Sequence, residues 1–342
     1  MTTASWRADV LPGYEARDLP LPDALPAPGE PEDAGLVATL VRRVADRDTD
    51  RAVLYVHGWN DYFFQTHLAD ALAELGFAFY AVDLRRYGRS YRPGQLQGWI
   101  NDLDLYAEEL DAAMEVVTAD HPHVTLMAHS TGGLIGAMWA DRRPGRLDGM
   151  VLNSPWLDLQ GAPMLRALGT PIISGLGQRL PTAALPLPDS GNYARILHAS
   201  LEGEWDYDLQ WKASPTAPIR AGWLRAVLQG HQRVAAGLSV DAPVLVMCAS
   251  RSDFRRAWHP ELRQADTVLD VEQIAKRAVQ LGPHVSVVRI EGGIHDLVLS
   301  DEPARSTVFR ELTRWARAYL LPSPVPAPAP DLPDAAPPTP AR

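Results

Sequence analysis

The chain has 342 residues, of which 46% are hydrophobic and 22% are charged, a composition typical of a soluble globular protein. Its net charge of −10 argues against a nucleic-acid partner, because phosphate binding needs a clustered excess of Lys and Arg. The amino terminus lacks the basic start and apolar core of a signal peptide, and no apolar run approaches the roughly 20 residues that span a bilayer, so we expect a cytoplasmic protein without an integral membrane segment.

The predicted elements begin after residues 1–35, which are rich in Pro, Asp and Ala and are expected to form an extended segment. Strand patterns follow at 36–43, 52–56, 77–82, 124–127 and 150–153, and helix patterns at 65–75 and 101–118. The run at 52–56 is apolar throughout, which is typical of a central strand covered on both faces. Strands that alternate with helices in this way predict a mostly parallel, doubly wound α/β sheet.

This alternation stops between about residues 162 and 241. The segment contains many Pro and Gly residues with irregular helical pieces, and we expect it to be an inserted helical cap. The pattern resumes with strands at 243–249 and 285–290 and helices at 271–281 and 305–320. Residues 36–161 and 242–321 are therefore predicted to form one core, and the Pro-rich residues 322–342 a disordered tail.

The stretch from Val124 to Gly136 joins a predicted strand directly to a predicted helix. Ser130 lies between them, and Ala128 and Gly132 stand two positions to either side. A serine at so sharp a corner needs small flanking residues, because the backbone there is strained. The pattern predicts a nucleophile elbow, with Ala in place of the first Gly of Gly-x-Ser-x-Gly.

A reactive serine needs a base within hydrogen-bond reach, and the base needs a third group to fix its tautomer. In a parallel sheet these groups follow the carboxyl ends of strands, in the chain order serine, acid, histidine. His295 meets this requirement because it follows the last predicted strand closely, whereas His284 lies at the start of that strand. We therefore expect His295 to be the base.

Three aspartates are candidates for the acid. Asp253 comes soon after the strand at 243–249, Asp266 lies farther along the chain, and Asp270 stands where a helix cap is expected. Spacing from the strand favours Asp253, whereas the local pattern before a helix favours Asp266. On the residues alone, both of these remain open.

Stabilisation of an oxyanion needs two backbone N–H groups aimed at the developing charge. We expect them from Thr131, which follows the serine, and from Trp59, in the loop after the strand at 52–56. No metal or other cofactor is expected, since His121 and His123 have no third ligand nearby. The single cysteine, Cys248, lies in an apolar run and is expected to be buried.

Together these motifs resemble the α/β-hydrolase superfamily, in particular its lysophospholipase, monoacylglycerol lipase and serine aminopeptidase-like branch. The matching pieces are His57-Gly58, residues 83–90, the elbow at 128–132, and residues 292–296. The likeness covers roughly residues 36–320. Residues 266–271 are similar to the acid motif of that branch, which implies that Asp266 is the acid.

The sequence departs from the family pattern in three places. About sixteen residues, where the family usually has a few, separate the preceding strand from Asp266, and this keeps Asp253 open. Ala128 replaces the first Gly of the elbow, and Arg86 occupies a position where the family often has Gly. We expect the first of these two replacements to be tolerated sterically and the second to affect a loop away from the serine.

The resemblance implies a serine hydrolase that cleaves carboxylic esters, of a small molecule or a lipid, through an acyl-enzyme on Ser130. Trp205 and Trp223 in the cap would suit an apolar part of the substrate, and packing within the cap is the alternative for either.

A non-catalytic binding protein with the same fold is a second possibility. A third is a peptidase or amidase on the same triad, which would need an acidic anchor for an amino terminus. Candidates for that anchor are Glu202, Glu204, Asp206 and Asp208.

Overall fold

The computed structural model of the protein describes residues 5–44, 48–159, 163–187 and 189–321, so the predicted tail at 322–342 lies outside the described residues. Within these ranges nine strands form one sheet. They are β1 (Arg7–Ala8), β2 (Tyr14–Pro20), β3 (Val37–Arg43), β4 (Arg51–Val56), β5 (Ala78–Asp83), β6 (His123–His129), β7 (Gly149–Asn153), β8 (Val244–Ala249) and β9 (Val285–Ile290).

The strands lie in the order β1-β2-β3-β5-β4-β6-β7-β8-β9 across the sheet. From β5 to β9 every neighbouring pair is parallel, whereas β1, β2 and β3 form an antiparallel edge against β5. The carboxyl ends of β4, β6, β7, β8 and β9 therefore meet at one edge, and the loops that follow these strands can share one site.

Helices cover the sheet and form the insertion between β7 and β8. They are α1 (Thr66–Glu74), α2 (Ala107–Asp120), α3 (Thr131–Asp141), α4 (Pro163–Arg179), α5 (Asn192–Leu197), α6 (Ala221–Ala236), α7 (Val271–Ala278) and α8 (Ala304–Tyr319). The helices α4, α5 and α6 belong to the predicted cap. None of the described helices combines the length and apolarity needed to cross a bilayer.

The core consists of the central strands and the apolar faces of the helices. Strands β5, β7 and β8 are buried along their whole length, as expected for strands covered on both faces. Cys248 of β8 is buried, as predicted, and burial raises the pKa of its thiol to about 11. Helix α8 buries Val308, Leu312 and Trp315 on one face, at the three- and four-residue spacing of an amphipathic helix.

One helix boundary differs clearly from the prediction. The helix predicted from residue 101 begins at Ala107, after a 3₁₀ turn over Leu103–Tyr106. The Asp102 side chain accepts a hydrogen bond from the Asp104 N–H, which stabilises this turn instead of an α-helical start. The apolar spacing predicts the helix, and the local hydrogen bond moves its start.

The extended segment before residue 36 contains two strands, β1 and β2, that its Pro-rich sequence does not predict. In β2 the side chains of Tyr14, Ala16 and Leu19 are buried, and the strand pairs with β3 along its whole length. The division of the chain into domains stays a prediction, but this pairing joins the N-terminal segment to the sheet through backbone hydrogen bonds.

A second link to the N-terminal segment involves Arg86, the residue found where the family often has Gly. Its φ of +67° lies in the left-handed region that favours Gly. Its guanidinium is 2.6 Å from a carboxylate oxygen of Glu30, and both side chains are almost completely buried. A buried, hydrogen-bonded ion pair therefore accompanies the strained backbone at this position.

Candidate active site

Ser130 lies at the corner between β6 and α3. Its φ of 52° and ψ of −119° are unusual for a residue other than Gly. A Cβ atom added to Gly132 would lie 2.3 Å from the carbonyl oxygen of His57, so only glycine fits at that position. The corner thus has the strained backbone and close packing that the elbow pattern predicts.

His295 lies between Ser130 and Asp266. Its Nε2 is 3.0 Å from Oγ of Ser130, and its Nδ1 is 2.9 Å from Oδ2 of Asp266. All three residues are buried. Because an ionised carboxylate can only accept hydrogen bonds, Nδ1 carries the proton and Nε2 is free to accept from the serine hydroxyl. The arrangement fixes both the position and the tautomer of the imidazole.

Asp266 reaches His295 although many residues separate it from β8. The intervening segment leaves the end of β8 and returns, so that Asp266 pairs with Ser252 in a short parallel bridge. The Asp266 N–H donates to the carbonyl oxygen of Arg251 at 3.0 Å, and the Asp253 N–H donates to that of Asp266 at 2.9 Å. The acid is distant in sequence but lies directly beside the segment that follows the strand.

The carboxylate of Asp266 is held in one orientation by its own turn. Its Oδ1 accepts from the N–H groups of Val268 and Leu269 at 2.8 and 2.7 Å, which leaves Oδ2 for His295. The hydroxyl of Ser252 donates to the carbonyl oxygen of Leu269 at 2.7 Å and fixes the same turn from the other side. The two carboxylate oxygens therefore have separate partners.

The other two candidate acids do not contact His295. Asp253 pairs with Arg255 at 2.6 Å, and the hydrogen bond from that guanidinium holds the pKa of the Asp253 carboxyl well below its usual value. Asp270 accepts from the N–H of Glu272 at 3.1 Å and caps α7, as predicted. Of the three, only Asp266 meets the imidazole.

The loop after β4 packs against the elbow. A Cβ atom added to Gly58 would lie 2.9 Å from Cβ of Ser130, so this close approach requires glycine. Within the described part of the chain, neither the Trp59 N–H nor the Thr131 N–H donates to another residue. Among the described residues, two N–H groups without a partner therefore come from the elbow and from the loop that packs against it.

His57 fixes the shape of this loop, a role that its position in the sequence does not predict. The Leu84 N–H donates to its Nε2 at 3.0 Å, so the ring proton is on Nδ1, which donates to the carbonyl oxygen of Gly58 at 2.7 Å. The imidazole joins the loop after β4 to the one after β5. The available signals were its position at the end of an apolar strand and the match of His57-Gly58 to the family motif.

The cap contacts the site through aromatic side chains. The ring of Tyr193, in α5, is 5.6 Å from the ring of His295, and the ring of Trp223, in α6, is 4.1 Å from that of Trp59. Trp205 instead stacks on His67 and donates to the carbonyl oxygen of Leu299. Of the two predicted tryptophans, Trp223 lies beside the candidate oxyanion loop and Trp205 packs on the surface near α1.

A buried charge cluster lies next to His295, whose ring is 4.8 Å from the ring of His129. Asp61, His129 and Asp296 present ligand atoms within 4.8 Å of one another, the spacing that a cation site needs. The ammonium of Lys212, in the cap, lies 2.8 Å from Oδ1 of Asp61. Burial lowers the pKa of the His129 imidazole. The positive charge next to this cluster is thus supplied by a lysine side chain.

Loss of Lys212 is expected to destabilise the fold. Asp61 and Lys212 are both largely buried. A buried carboxylate that loses its counter-ion cannot be stabilised by water instead. We expect Lys212→Met to lower the free energy of unfolding by about 3–5 kcal/mol, measured by urea denaturation. The double variant Asp61→Asn/Lys212→Met should recover most of this loss, and a single-variant loss below about 1 kcal/mol would contradict the assignment.

A mostly parallel sheet, a serine at a strand-to-helix corner, a histidine after the last strand and a helical insertion define the α/β-hydrolase fold. A family model described as serine aminopeptidase, S33, matches residues 47–302. The chain therefore belongs to the serine aminopeptidase S33 family. The resemblance inferred from the motifs and the predicted fold class are both confirmed.

Several relatives of the chain carry lipase names. The chain is 26% identical over 302 residues to lysophospholipase L2 of Escherichia coli strain K12, covering 80% of this chain and 82% of the relative. It is 28% identical over 153 residues to monoglyceride lipase of Rattus norvegicus, covering 43% and 48% of the two chains. A soluble variant of monoglyceride lipase from Saccharomyces cerevisiae, solved with a substrate analogue, superposes with a TM-score of 0.60 at 16% identity, covering 93% of this chain and 97% of that one. The structural likeness supports the fold.

Proposed function

We propose that the protein is a serine hydrolase that cleaves carboxylic esters, with Ser130 as nucleophile, His295 as general base and Asp266 as the residue that orients the base. The observation that carries the proposal is the continuous chain of hydrogen bonds, 3.0 Å from Ser130 to His295 and 2.9 Å from His295 to Asp266. A location in the cytoplasm stays a prediction.

In the first half of the reaction, Oγ of Ser130 attacks the acyl carbon of the ester while Nε2 of His295 takes the hydroxyl proton. The carbonyl oxygen becomes negatively charged, and the N–H groups of Trp59 and Thr131 donate to it. The carbon–oxygen bond to the alcohol then breaks, and His295 gives its proton to the departing oxygen. The products are the free alcohol and an ester between the acyl group and Ser130.

In the second half, water replaces the alcohol. Nε2 of His295 takes a proton from water as its oxygen attacks the acyl-enzyme, and the same proton returns to Oγ of Ser130 when that bond breaks. Asp266 stabilises the imidazolium in both halves without receiving a proton. The carboxylic acid leaves, and the free enzyme is restored.

We propose a lipid ester as the substrate class, because relatives named lysophospholipase and monoglyceride lipase match the chain. The partly exposed ring of Trp59, which packs on the buried ring of Trp223, is the apolar group of the candidate oxyanion loop. The peptidase alternative needs a free acidic anchor. Glu202 pairs with Arg195, and Glu204 lies 2.6 Å from a guanidinium nitrogen of Arg305, whereas Asp206 and Asp208 make no ion pair among the described residues. The two aspartates are therefore the anchor candidates that a comparison of ester and aminoacyl substrates tests.

A substrate comparison tests this proposal. We expect turnover of p-nitrophenyl butyrate and of longer p-nitrophenyl esters, with kcat/KM rising about fourfold for each CH₂ that the apolar site can bury, since burial of one CH₂ contributes about 0.8 kcal/mol. Alanine p-nitroanilide should not be hydrolysed. Release of the nitrophenol or nitroaniline chromophore measures both reactions.

Two controls complete the comparison. N-acetylalanine p-nitroanilide separates an aminopeptidase, which requires the free amine, from a general amidase. Reaction with a fluorophosphonate, followed by mass spectrometry of the labelled peptide, locates the nucleophile. Hydrolysis of the free-amine anilide in preference to every ester would contradict ester specificity, and absence of both labelling and turnover would favour the non-catalytic binding protein.

A further inference from the structure

Asp296, the residue after His295, has a buried carboxylate that the proposed mechanism does not use. Its Oδ1 accepts from Nδ2 of Asn153 at 2.7 Å, and its Oδ2 accepts from Nε2 of Gln65 at 3.0 Å. All three side chains are fully buried. Burial by itself raises the pKa of this carboxyl, but neighbouring His129 and the two amide hydrogen bonds bring it below its usual value. An ionised group is therefore held in the interior directly beside the proposed base.

Asn153 links this carboxylate to the serine. It is the last residue of β7, and its Oδ1 accepts from the Leu297 N–H at 3.2 Å. Its side chain therefore holds the loop just after His295. Its carbonyl oxygen accepts from the Ser130 N–H at 3.0 Å. One residue thus binds the backbone of the nucleophile and the loop that carries the imidazole.

Gln65 fixes the network from a third element. It precedes α1, and its Oε1 accepts from the N–H of Phe64 at 3.0 Å. The amide therefore cannot rotate by half a turn without losing that bond, and its Nε2 must point at Asp296. With β7 and the start of α1 both contributing donors, the carboxylate has little freedom to move.

We propose that Asp296, held by Asn153 and Gln65, is a positioning residue that sets the distance between His295 and Ser130. The inference rests on the proposed function, because it assigns a role in the reactivity of that same serine. A displacement of the imidazole by about 1 Å costs on the order of 10²-fold in rate, so a network of this kind has a measurable kinetic effect without contacting substrate. Substrate binding is left unchanged.

The donor and acceptor pattern gives a specific test by exchange of the two side chains. In Asp296→Asn the new amide cannot accept from both Asn153 and Gln65, so two donors face each other. In Asn153→Asp two carboxylates face each other in a buried site, and this repulsion is stronger than that between the two donors of Asp296→Asn. In the double variant Asn153→Asp/Asp296→Asn, the carboxylate at position 153 accepts from the Leu297 N–H and from the new amide, whose oxygen accepts from Gln65. Every group is satisfied again, and the net charge is unchanged.

We expect Asp296→Asn to lower kcat for p-nitrophenyl butyrate by about 10²-fold with KM changed less than about threefold. The rate of labelling of Ser130 by a fluorophosphonate should fall in parallel. The double variant should return both rates to within about tenfold of the wild type. Recovery by exchange is the result that distinguishes this hydrogen-bond geometry from a general need for a carboxylate at position 296.

Glu109→Gln is the matched control, because Glu109 is a buried carboxylate paired with Arg85 at 2.7 Å and lies in α2. It should lower the melting temperature while leaving kcat unchanged. Wild-type kcat in Asp296→Asn, or a double variant that folds yet is no faster than the single variants, would overturn the positioning role alone. A wild-type protein with neither esterase activity nor labelling would overturn the proposed function and this inference with it.

Discussion

Replacing Ser130 by alanine is expected to lower kcat for ester hydrolysis by about 10⁶-fold, the effect found when the nucleophile of a serine hydrolase is removed. The reason is that the acyl-enzyme can no longer form, and His295 has no hydroxyl to deprotonate. The measurement is the initial rate with p-nitrophenyl butyrate over a range of concentrations. Labelling by the fluorophosphonate should disappear completely.

The folded state of this variant should be nearly unchanged. Alanine differs from serine only by the lost Oγ, and the strained φ of 52° at the corner is the same for both residues. We expect a change in the free energy of unfolding of no more than about 1 kcal/mol, the net worth of one hydrogen bond. A variant that stays folded and keeps more than about one hundredth of the activity would contradict Ser130 as nucleophile.

The places of Ser130 and His295 in the fold could be predicted from the sequence because each is specified locally. The elbow needs small residues on both sides of Ser130, and this requirement leaves a short readable pattern. His295 follows an apolar strand within a few residues, and the end of that strand fixes which edge of the sheet it reaches. In both cases the neighbours along the chain determine the position in space.

The choice of acid could not be made from spacing, because spacing along the chain and distance in space disagree here. Asp253 is close to the end of β8 in sequence, but its carboxylate turns toward Arg255. Asp266 returns to the same place through its bridge with Ser252. A parallel bridge between two loop residues leaves no periodic pattern, so Asp266 was favoured only by the local pattern before a helix and by the resemblance to a family.

The same reasoning explains why β2 and the network around Asp296 were missed. Each depends on partners far away in the chain: β2 on β3, and Asp296 on Gln65 and Asn153. Buried polar side chains gain their meaning from such partners, and a single sequence does not identify them. The positions that remained unpredicted are therefore those that join separate elements.

Replacing Asp266 by asparagine is expected to lower kcat by about 10⁴-fold, whereas Asp253→Asn should stay within about twofold of the wild type. The two variants make the same chemical change on either side of one backbone bridge. Asp253 donates to Asp266 only through its backbone N–H, which the substitution leaves intact. Comparison of kcat and KM with p-nitrophenyl butyrate, together with melting temperatures, distinguishes the two acids.

The large loss of kcat expected for Asp266→Asn follows from the turn that holds Asp266. The N–H groups of Val268 and Leu269 both donate to Oδ1, so an amide at this position would keep its oxygen there and turn its NH₂ toward His295. The imidazole would then have to accept at Nδ1 and carry its proton on Nε2, where it can no longer take the proton of Ser130. Because the substitution reverses the tautomer of His295, raising the substrate concentration should not restore the rate. An Asp266→Asn variant with a raised KM and an unchanged kcat would contradict this role.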